Sequence, residues 1–121
     1  MKFRHTQTNL KKESEYPKLI RDLIPEIIEK RAGKKPGLKI LKNDQEYQKY
    51  LLKKVLEEAE EFSKVKDKTH LVEEMADILE LFDAIIKHNK LSKRDIQKVK
   101  KEKARLRGGF TKRLLMLKNV D

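Results

Sequence analysis

The chain has 121 residues, of which 42% are charged and 37% hydrophobic, so it is long enough for one domain with a modest core. It contains no cysteine, which excludes disulfides and thiolate–metal sites, and no apolar stretch approaches the ~20 residues of a membrane span. The first residues lack the apolar core of a signal peptide, so we expect a cytoplasmic protein with no membrane partner. Residues 1–15 are polar and predict a flexible N-terminal tail, and residues 16–121 are expected to form one domain.

Charge is distributed unevenly along the chain. The net charge of +11 divides into +7 for residues 1–43 (12 Lys/Arg, 5 Asp/Glu), −5 for residues 44–88 (7 and 12) and +9 for residues 89–121 (12 and 3). The basic flanks have two interpretations that composition leaves open. In the first, they are solvated helix faces and a loose tail. In the second, they gather anionic ligands around an acidic, metal-loaded centre.

The first predicted helix lies within residues 19–30, which combine apolar residues with helix start and stop signals. Asp22 is expected to cap its N-terminus, and Pro25 is tolerated in a first helical turn. Gly33 is expected to end it, because glycine readily adopts the left-handed conformation that closes a helix.

Two long helices are predicted in the middle of the chain. The first begins at Asn43 or the next residue, since Asn43 and Glu46 have the spacing of a capping box, and it runs to about Val65. The second runs from about His70 to Asn89. The polar link between them is short, so we expect an antiparallel hairpin.

A fourth helix is predicted from Ser92, which forms a second capping box with Asp95, to Gly108. Residues 110–116 have an extended pattern and are candidates to pair with residues 38–41 as a two-stranded ribbon. The predicted fold is therefore all-α: a helical hairpin with flanking helices and a small ribbon.

Two acidic motifs fall on the two long helices: E-E-x-x-E at residues 57–61 and, after twelve intervening residues, E-x-x-D at residues 74–77. On a wheel of ~100° per residue, Glu58 and Glu74 lie within the apolar stripes of their helices, and the acidic residues three positions later lie at the stripe edges. The stripes consist of Leu51, Val55, Phe62 and Val65 on one helix, and Leu71, Ile78, Leu81 and Ile85 on the other.

Packing of the two helices would bring Glu58, Glu61, Glu74 and Asp77 into a partly desolvated cleft. Their repulsion would be severe unless a cation lay between them. A hard divalent cation prefers oxygen ligands and is the natural candidate. The alternative is that these residues are solvated and support pairs with lysine one turn away, as we expect for Glu60.

Glu57 lies off the apolar stripe but beside the predicted cluster. Three interpretations stay open for it: an ordinary solvated glutamate, a group that supports the metal ligands, or a base for a metal-bound water.

The acidic motifs on a helical hairpin resemble those of the all-α nucleotide pyrophosphohydrolases, the superfamily of MazG, dimeric dUTPase and phosphoribosyl-ATP pyrophosphohydrolase. Residues 16–25 resemble the Y-x-K-L-V-R-D-x-I-P opening of a small phosphoribosyl-ATP-pyrophosphohydrolase-like subgroup, with Pro17 where the subgroup often has Asn. Residues 103–113 resemble its closing K-x-x-x-R-G-G-F-x-x-R. The three motifs occur in the same order, and the similarity covers most of the chain from residue 16 to residue 117.

The resemblance implies hydrolysis of a nucleoside triphosphate, or a related nucleotide, between its α- and β-phosphates, with Mg²⁺, or alternatively Mn²⁺, as cofactor. By motif position, the predicted metal ligands are Glu58, Glu61, Glu74 and Asp77. Either Glu57 or Glu58 is the predicted catalytic group that orients the attacking water. The basic residues of the opening and closing motifs are predicted to bind substrate phosphates: Lys18, Arg21, Arg107, Lys112 and Arg113.

Two further hypotheses compete with the enzyme. The net charge favours a non-enzymatic protein that binds nucleic acid, but the basic segments carry few aromatic residues for stacking, and a nucleic-acid partner is therefore disfavoured. The second competing hypothesis is a helical interaction module without enzymatic activity. The superfamily resemblance also implies a homodimer or a larger homo-oligomer, as does a hairpin whose narrow apolar seams need covering on both sides.

Overall fold

The computed structural model describes residues 16–120 and contains four α-helices and no β-strand within that range. The helices are α1 (Ile24–Ala32), α2 (Asp44–Ser63), α3 (Lys68–His88) and α4 (Lys93–Arg107). The all-α prediction is confirmed. The predicted tail at residues 1–15 lies outside the described residues.

Helix α1 begins later than the sequence predicts. Its N-cap is Leu23 and not Asp22, and no side chain caps its first turn. Pro25 lies in that first turn, where its missing N–H costs no intrahelical hydrogen bond. The helix ends as predicted at Gly33, which has a φ of 74° and donates its N–H to the Glu29 carbonyl oxygen at 2.8 Å.

Side-chain caps set the starts of the other three helices. The Asn43 carboxamide accepts a hydrogen bond from the Glu46 N–H at 2.9 Å, and the Ser92 hydroxyl accepts one from the Asp95 N–H at 3.2 Å, which is the N-cap half of each predicted capping box. Asp67 caps α3 by accepting from the His70 N–H at 2.9 Å, so α3 starts two residues before the predicted position.

The predicted two-stranded ribbon is wrong for the described residues, because neither 38–41 nor 110–116 forms a strand. Ile40 is 80% exposed and Phe110 is 99% exposed, so neither segment has a surface to pack on. A two-stranded ribbon is marginal without such support. Gly108 ends α4 at φ 79° and ψ 178°, a conformation that is essentially restricted to glycine.

Helices α2 and α3 form the principal helix–helix contact among the described residues. His88 Nε2 lies 3.2 Å from the Asp44 carbonyl oxygen, and its ring packs edge-on against Tyr47 at 4.8 Å between centroids. The Asn89 side-chain Nδ2 donates a hydrogen bond to Gln48 Oε1 at 2.9 Å. The start of α2 therefore contacts the end of α3. Leu51, one turn further along α2, is only 1% exposed.

Helix α4 and the residues after it contribute nothing to this packed region, because every residue from Leu91 to Val120 is exposed. An ion pair of 3.1 Å between Lys93 and Asp83 joins α4 to α3. None of the helices within residues 16–120 is long and apolar enough to cross a membrane.

Candidate metal centre

Three carboxylates from α2 and α3 converge where the two helices meet. One oxygen each from Glu58, Glu61 and Glu74 lies within 4.8 Å of the other two. The three-residue spacing of Glu58 and Glu61 places both on one side of α2. Glu74 projects from α3 toward the same point, so three of the four predicted metal ligands form one cluster, which we call the acidic centre.

The acidic centre is buried on one side and open on the other. Glu74 is 0% exposed and Glu58 is 6% exposed, whereas Glu61 is exposed to solvent. Burial raises the pKa of the Glu58 carboxyl to about 8, and the negative charge of Glu61 adds to the rise. An open side gives an ion or a substrate access to carboxylates that are otherwise removed from water.

The fourth predicted ligand, Asp77, lies beside the acidic centre. Its charge contributes to the raised pKa of Glu58, and its side chain is 15% exposed. Its Oδ1 accepts a hydrogen bond of 2.7 Å from Arg21 Nη2. This pair ties the segment before α1 to α3 and places one of the predicted phosphate-binding residues at the edge of the acidic centre.

The other predicted phosphate-binding residues are distributed differently. Lys18 is half-buried, with its Nζ 5.2 Å from the centroid of the Tyr16 ring. Arg107, Lys112 and Arg113 are exposed, and within the described residues no ion pair or side-chain hydrogen bond joins them to the acidic centre. The structure therefore brings Arg21 to the site, but it does not show such a contact for the closing motif.

Glu57 is partly buried, with 29% of its side chain exposed, and its Oε1 lies 3.9 Å from Lys54 Nζ. It is therefore neither a fully solvated glutamate nor a member of the three-carboxylate cluster. Lys54 links it to Glu58, because the same ammonium lies 3.9 Å from Glu58 Oε1.

Two residues near these carboxylates were not predicted from the sequence. The Lys54 side chain is only 16% exposed. The sequence signal for Lys54 was its spacing, since it precedes Glu57 by three residues and Glu58 by four. Glu73 is 8% exposed, and its Oε2 has no hydrogen-bond partner in the described part of the chain. No spacing rule singled out Glu73, since it adjoins the E-x-x-D motif without belonging to it.

The residues present fit a hard divalent cation. All the donors are carboxylate oxygens, which Mg²⁺ and Mn²⁺ accept readily. In an octahedral Mg²⁺ site with bonds of ~2.1 Å, opposite ligand oxygens are ~4.2 Å apart and neighbouring ones ~2.9 Å apart, so oxygens within 4.8 Å of one another are on the scale of one ion and would draw closer around it. Burial of two of the three carboxylates also favours a cation here, because a buried negative charge is costly unless it is neutralised, paired or metal-bound.

Comparison with known proteins adds no assignment to this geometry. The chain matches no protein-family model, no curated protein and no solved structure.

The raised pKa of Glu58 predicts how the stability of the metal-free protein depends on pH. Its folded pKa of about 8 lies above the ordinary value of 4.5, so the protonated carboxyl stabilises the fold below that ordinary value and this stabilisation is lost as pH rises toward 8. We expect the free energy of unfolding without metal to fall between pH 5 and pH 8 by at most ~1.4 kcal/mol per pH unit, and the Tm to fall with it. Thermal denaturation in a chelator measures it. Glu58→Gln should flatten the curve, and an unchanged slope in that variant would refute the assignment.

Proposed function

We propose that this protein is a Mg²⁺-dependent nucleotide pyrophosphohydrolase that cleaves the bond between the α- and β-phosphates of a nucleoside triphosphate or a related nucleotide, releasing a monophosphate and pyrophosphate. One observation carries the proposal: Glu58, Glu61 and Glu74, from two packed helices, bring oxygens within 4.8 Å of one another. Its kinship with the MazG-like and phosphoribosyl-ATP-pyrophosphohydrolase-like enzymes rests on the three sequence motifs.

In this proposal, Glu58, Glu61, Glu74 and Asp77 hold the ion. Bound Mg²⁺ supplies a polarised water and neutralises charge on the phosphates during in-line displacement. Glu57 or Glu58 orients the attacking water. Glu57 has the better position for a proton acceptor outside the ligand set, since its side chain reaches solvent and its partner is Lys54.

Arg21 is the best-placed phosphate ligand. It uses one guanidinium N–H on Asp77, and 56% of its side chain is exposed, so its remaining donors face solvent beside the acidic centre. A guanidinium has five N–H donors and binds phosphate oxygens in pairs, which suits a residue that contacts a carboxylate and a substrate together.

A homodimer or larger homo-oligomer is part of the proposal. Large apolar side chains are exposed just before α4, on α4 and in the segment after it, beyond what a monomer ordinarily leaves to water. They are Leu91, Ile96, Val99, Leu106, Phe110, Leu114, Leu115, Met116, Leu117 and Val120. A second copy that covers this surface would also bring the basic closing motif, with Arg107, Lys112 and Arg113, near a neighbouring subunit. The protein would act in the cytoplasm, clearing noncanonical or surplus nucleotides.

A panel of canonical and modified nucleoside triphosphates, incubated with the protein and Mg²⁺, tests the proposal by detection of pyrophosphate. We expect release from at least one member and none in the presence of a chelator. Release of orthophosphate in place of pyrophosphate would contradict cleavage between the α- and β-phosphates. No hydrolysis of any member, with Mg²⁺ or with Mn²⁺, would refute the enzyme.

One observation favours a second candidate, a protein that binds nucleic acid. Helix α4 is exposed throughout and carries eight Lys/Arg and two Asp/Glu. Arg94, Lys98 and Lys101 lie on one of its faces, as their spacing of four and three residues requires. This candidate requires duplex affinity whose logarithm falls linearly with the logarithm of salt concentration. Gel-shift titrations without detectable binding at low salt would exclude it.

A further inference from the structure

Lys54 differs from Lys64, which directly follows α2 and also pairs with a glutamate of that helix. Its side chain is 16% exposed, and its Nζ lies 3.9 Å from both Glu57 Oε1 and Glu58 Oε1. Lys64 pairs with Glu60 at the same i, i+4 separation, but both of those side chains are more than 70% exposed. The two pairs have the same separation along the chain, with the order of lysine and glutamate reversed, and they differ in their exposure to water.

The position of Lys54 has an electrostatic consequence. A distance of 3.9 Å is too long for a hydrogen bond, so the ammonium acts on the two carboxylates through space. Such an interaction is weak at an exposed site and stronger where water is excluded. Because Glu58 is buried and faces Glu61 and Glu74, a lysine at this position acts on the whole acidic centre.

We infer that Lys54 is an internal counter-cation of the acidic centre: it neutralises part of the carboxylate charge when no divalent ion is bound, and it thereby weakens the affinity of the centre for that ion. The inference rests on the proposed function, since it concerns the same metal site. In this assignment Lys54 acts through Glu57 and Glu58 and has no role in binding the substrate. It regulates how strongly the centre binds metal.

Lys54 also differs from Arg21, a second cation that the described residues place beside the acidic centre. Arg21 belongs to the segment before α1 and is 56% exposed, so it can exchange its carboxylate partner for a substrate phosphate. Lys54 belongs to α2 itself and is largely buried, so it stays beside Glu57 and Glu58. Helix α2 therefore holds the Lys54 side chain beside these two carboxylates.

Titration of the wild-type protein and its variants with Mn²⁺, by calorimetry or electron paramagnetic resonance, tests the inference. We expect Lys54→Met to bind Mn²⁺ on the order of tenfold more tightly, because the repulsion between the ammonium and the divalent ion is removed. Lys54→Arg keeps the charge and should stay within about twofold of wild type, since the Coulomb term is unchanged. Lys64→Met is the matched control and should leave the affinity unchanged.

The outcomes separate the inference from the function on which it rests. If the wild-type protein binds Mn²⁺ and Lys54→Met binds it with the same affinity, the inference is overturned and the metal site stands. Equal changes in Lys54→Met and Lys54→Arg would also overturn it, because they would show that packing and not charge sets the affinity. Absence of Mn²⁺ binding by the wild-type protein would refute the proposed function as well. If Lys54→Met fails to fold by circular dichroism, Lys54→Gln gives the same comparison with a polar side chain.

Discussion

Glu61→Gln is expected to lower the rate of Mg²⁺-dependent pyrophosphate release by ~10²-fold or more, with no loss of fold. The substitution removes one negative charge from the acidic centre and leaves the side-chain shape almost unchanged. Because Glu61 is exposed, the change leaves no buried polar group unsatisfied. Electrostatic stabilisation by a correctly placed group is commonly worth this much of the rate. Steady-state pyrophosphate assays measure the effect.

The adjacent residue supplies a matched control for this experiment. Glu60 is 72% exposed and pairs with Lys64 on the outside of α2. Glu60→Gln changes the net charge by the same amount one position away, so it should retain the wild-type rate. Equal losses in the two variants would mean that the net charge of α2, and not the acidic centre, determines activity. Full activity in Glu61→Gln would remove Glu61 from the ligand set.

Glu74→Met is expected to stabilise the metal-free protein while abolishing its response to metal. Glu74 is 0% exposed and shares its site with Glu58 and Glu61, so its charge form carries desolvation and repulsion. Removing one of three carboxylates that lie this close relieves their mutual repulsion, and methionine fills a similar volume. We expect the Tm in a chelator to rise by several degrees and the further rise on addition of Mn²⁺ to disappear.

Glu80→Met controls for added apolar surface on the same helix. Glu80 is exposed on α3, and a surface substitution there should change the free energy of unfolding by less than ~0.5 kcal/mol. Its Mn²⁺ response should equal that of the wild-type protein. A Glu74→Met variant that loses stability in a chelator would show that the Glu74 carboxylate is already compensated within the metal-free fold. A preserved Mn²⁺ response would show that Glu74 is not a ligand.

The helix boundaries were predictable where a short polar side chain competes for the first backbone N–H groups. Asn43 and Ser92 fixed the starts of α2 and α4, because their caps depend on neighbours three residues away. Asp22 had the right chemistry but the wrong position, since the backbone becomes helical only from Ile24. The extended segments failed as a ribbon because strand pairing depends on distant contacts that a local pattern does not contain.

The acidic centre was predictable for a related reason. An acidic residue inside an apolar stripe has to be buried wherever that stripe packs, so Glu58 and Glu74 followed from helical periodicity. The burial of Lys54 was not predicted, because a lysine four residues before a glutamate is ordinarily a solvated partner. Burial of Glu73 depends on which part of the chain covers α3, and helix-wheel reasoning does not supply that information.

Anomalous diffraction from crystals soaked in Mn²⁺ tests the central claim most directly. The expected result is one strong anomalous peak between α2 and α3, with oxygens of Glu58, Glu61 and Glu74 as its ligands at about 2.1–2.2 Å, close to the distances of Mg²⁺ sites. Asp77 should lie in direct or water-mediated contact with the ion. A map without a peak at this position, with the three carboxylates turned apart into solvent, would contradict the account.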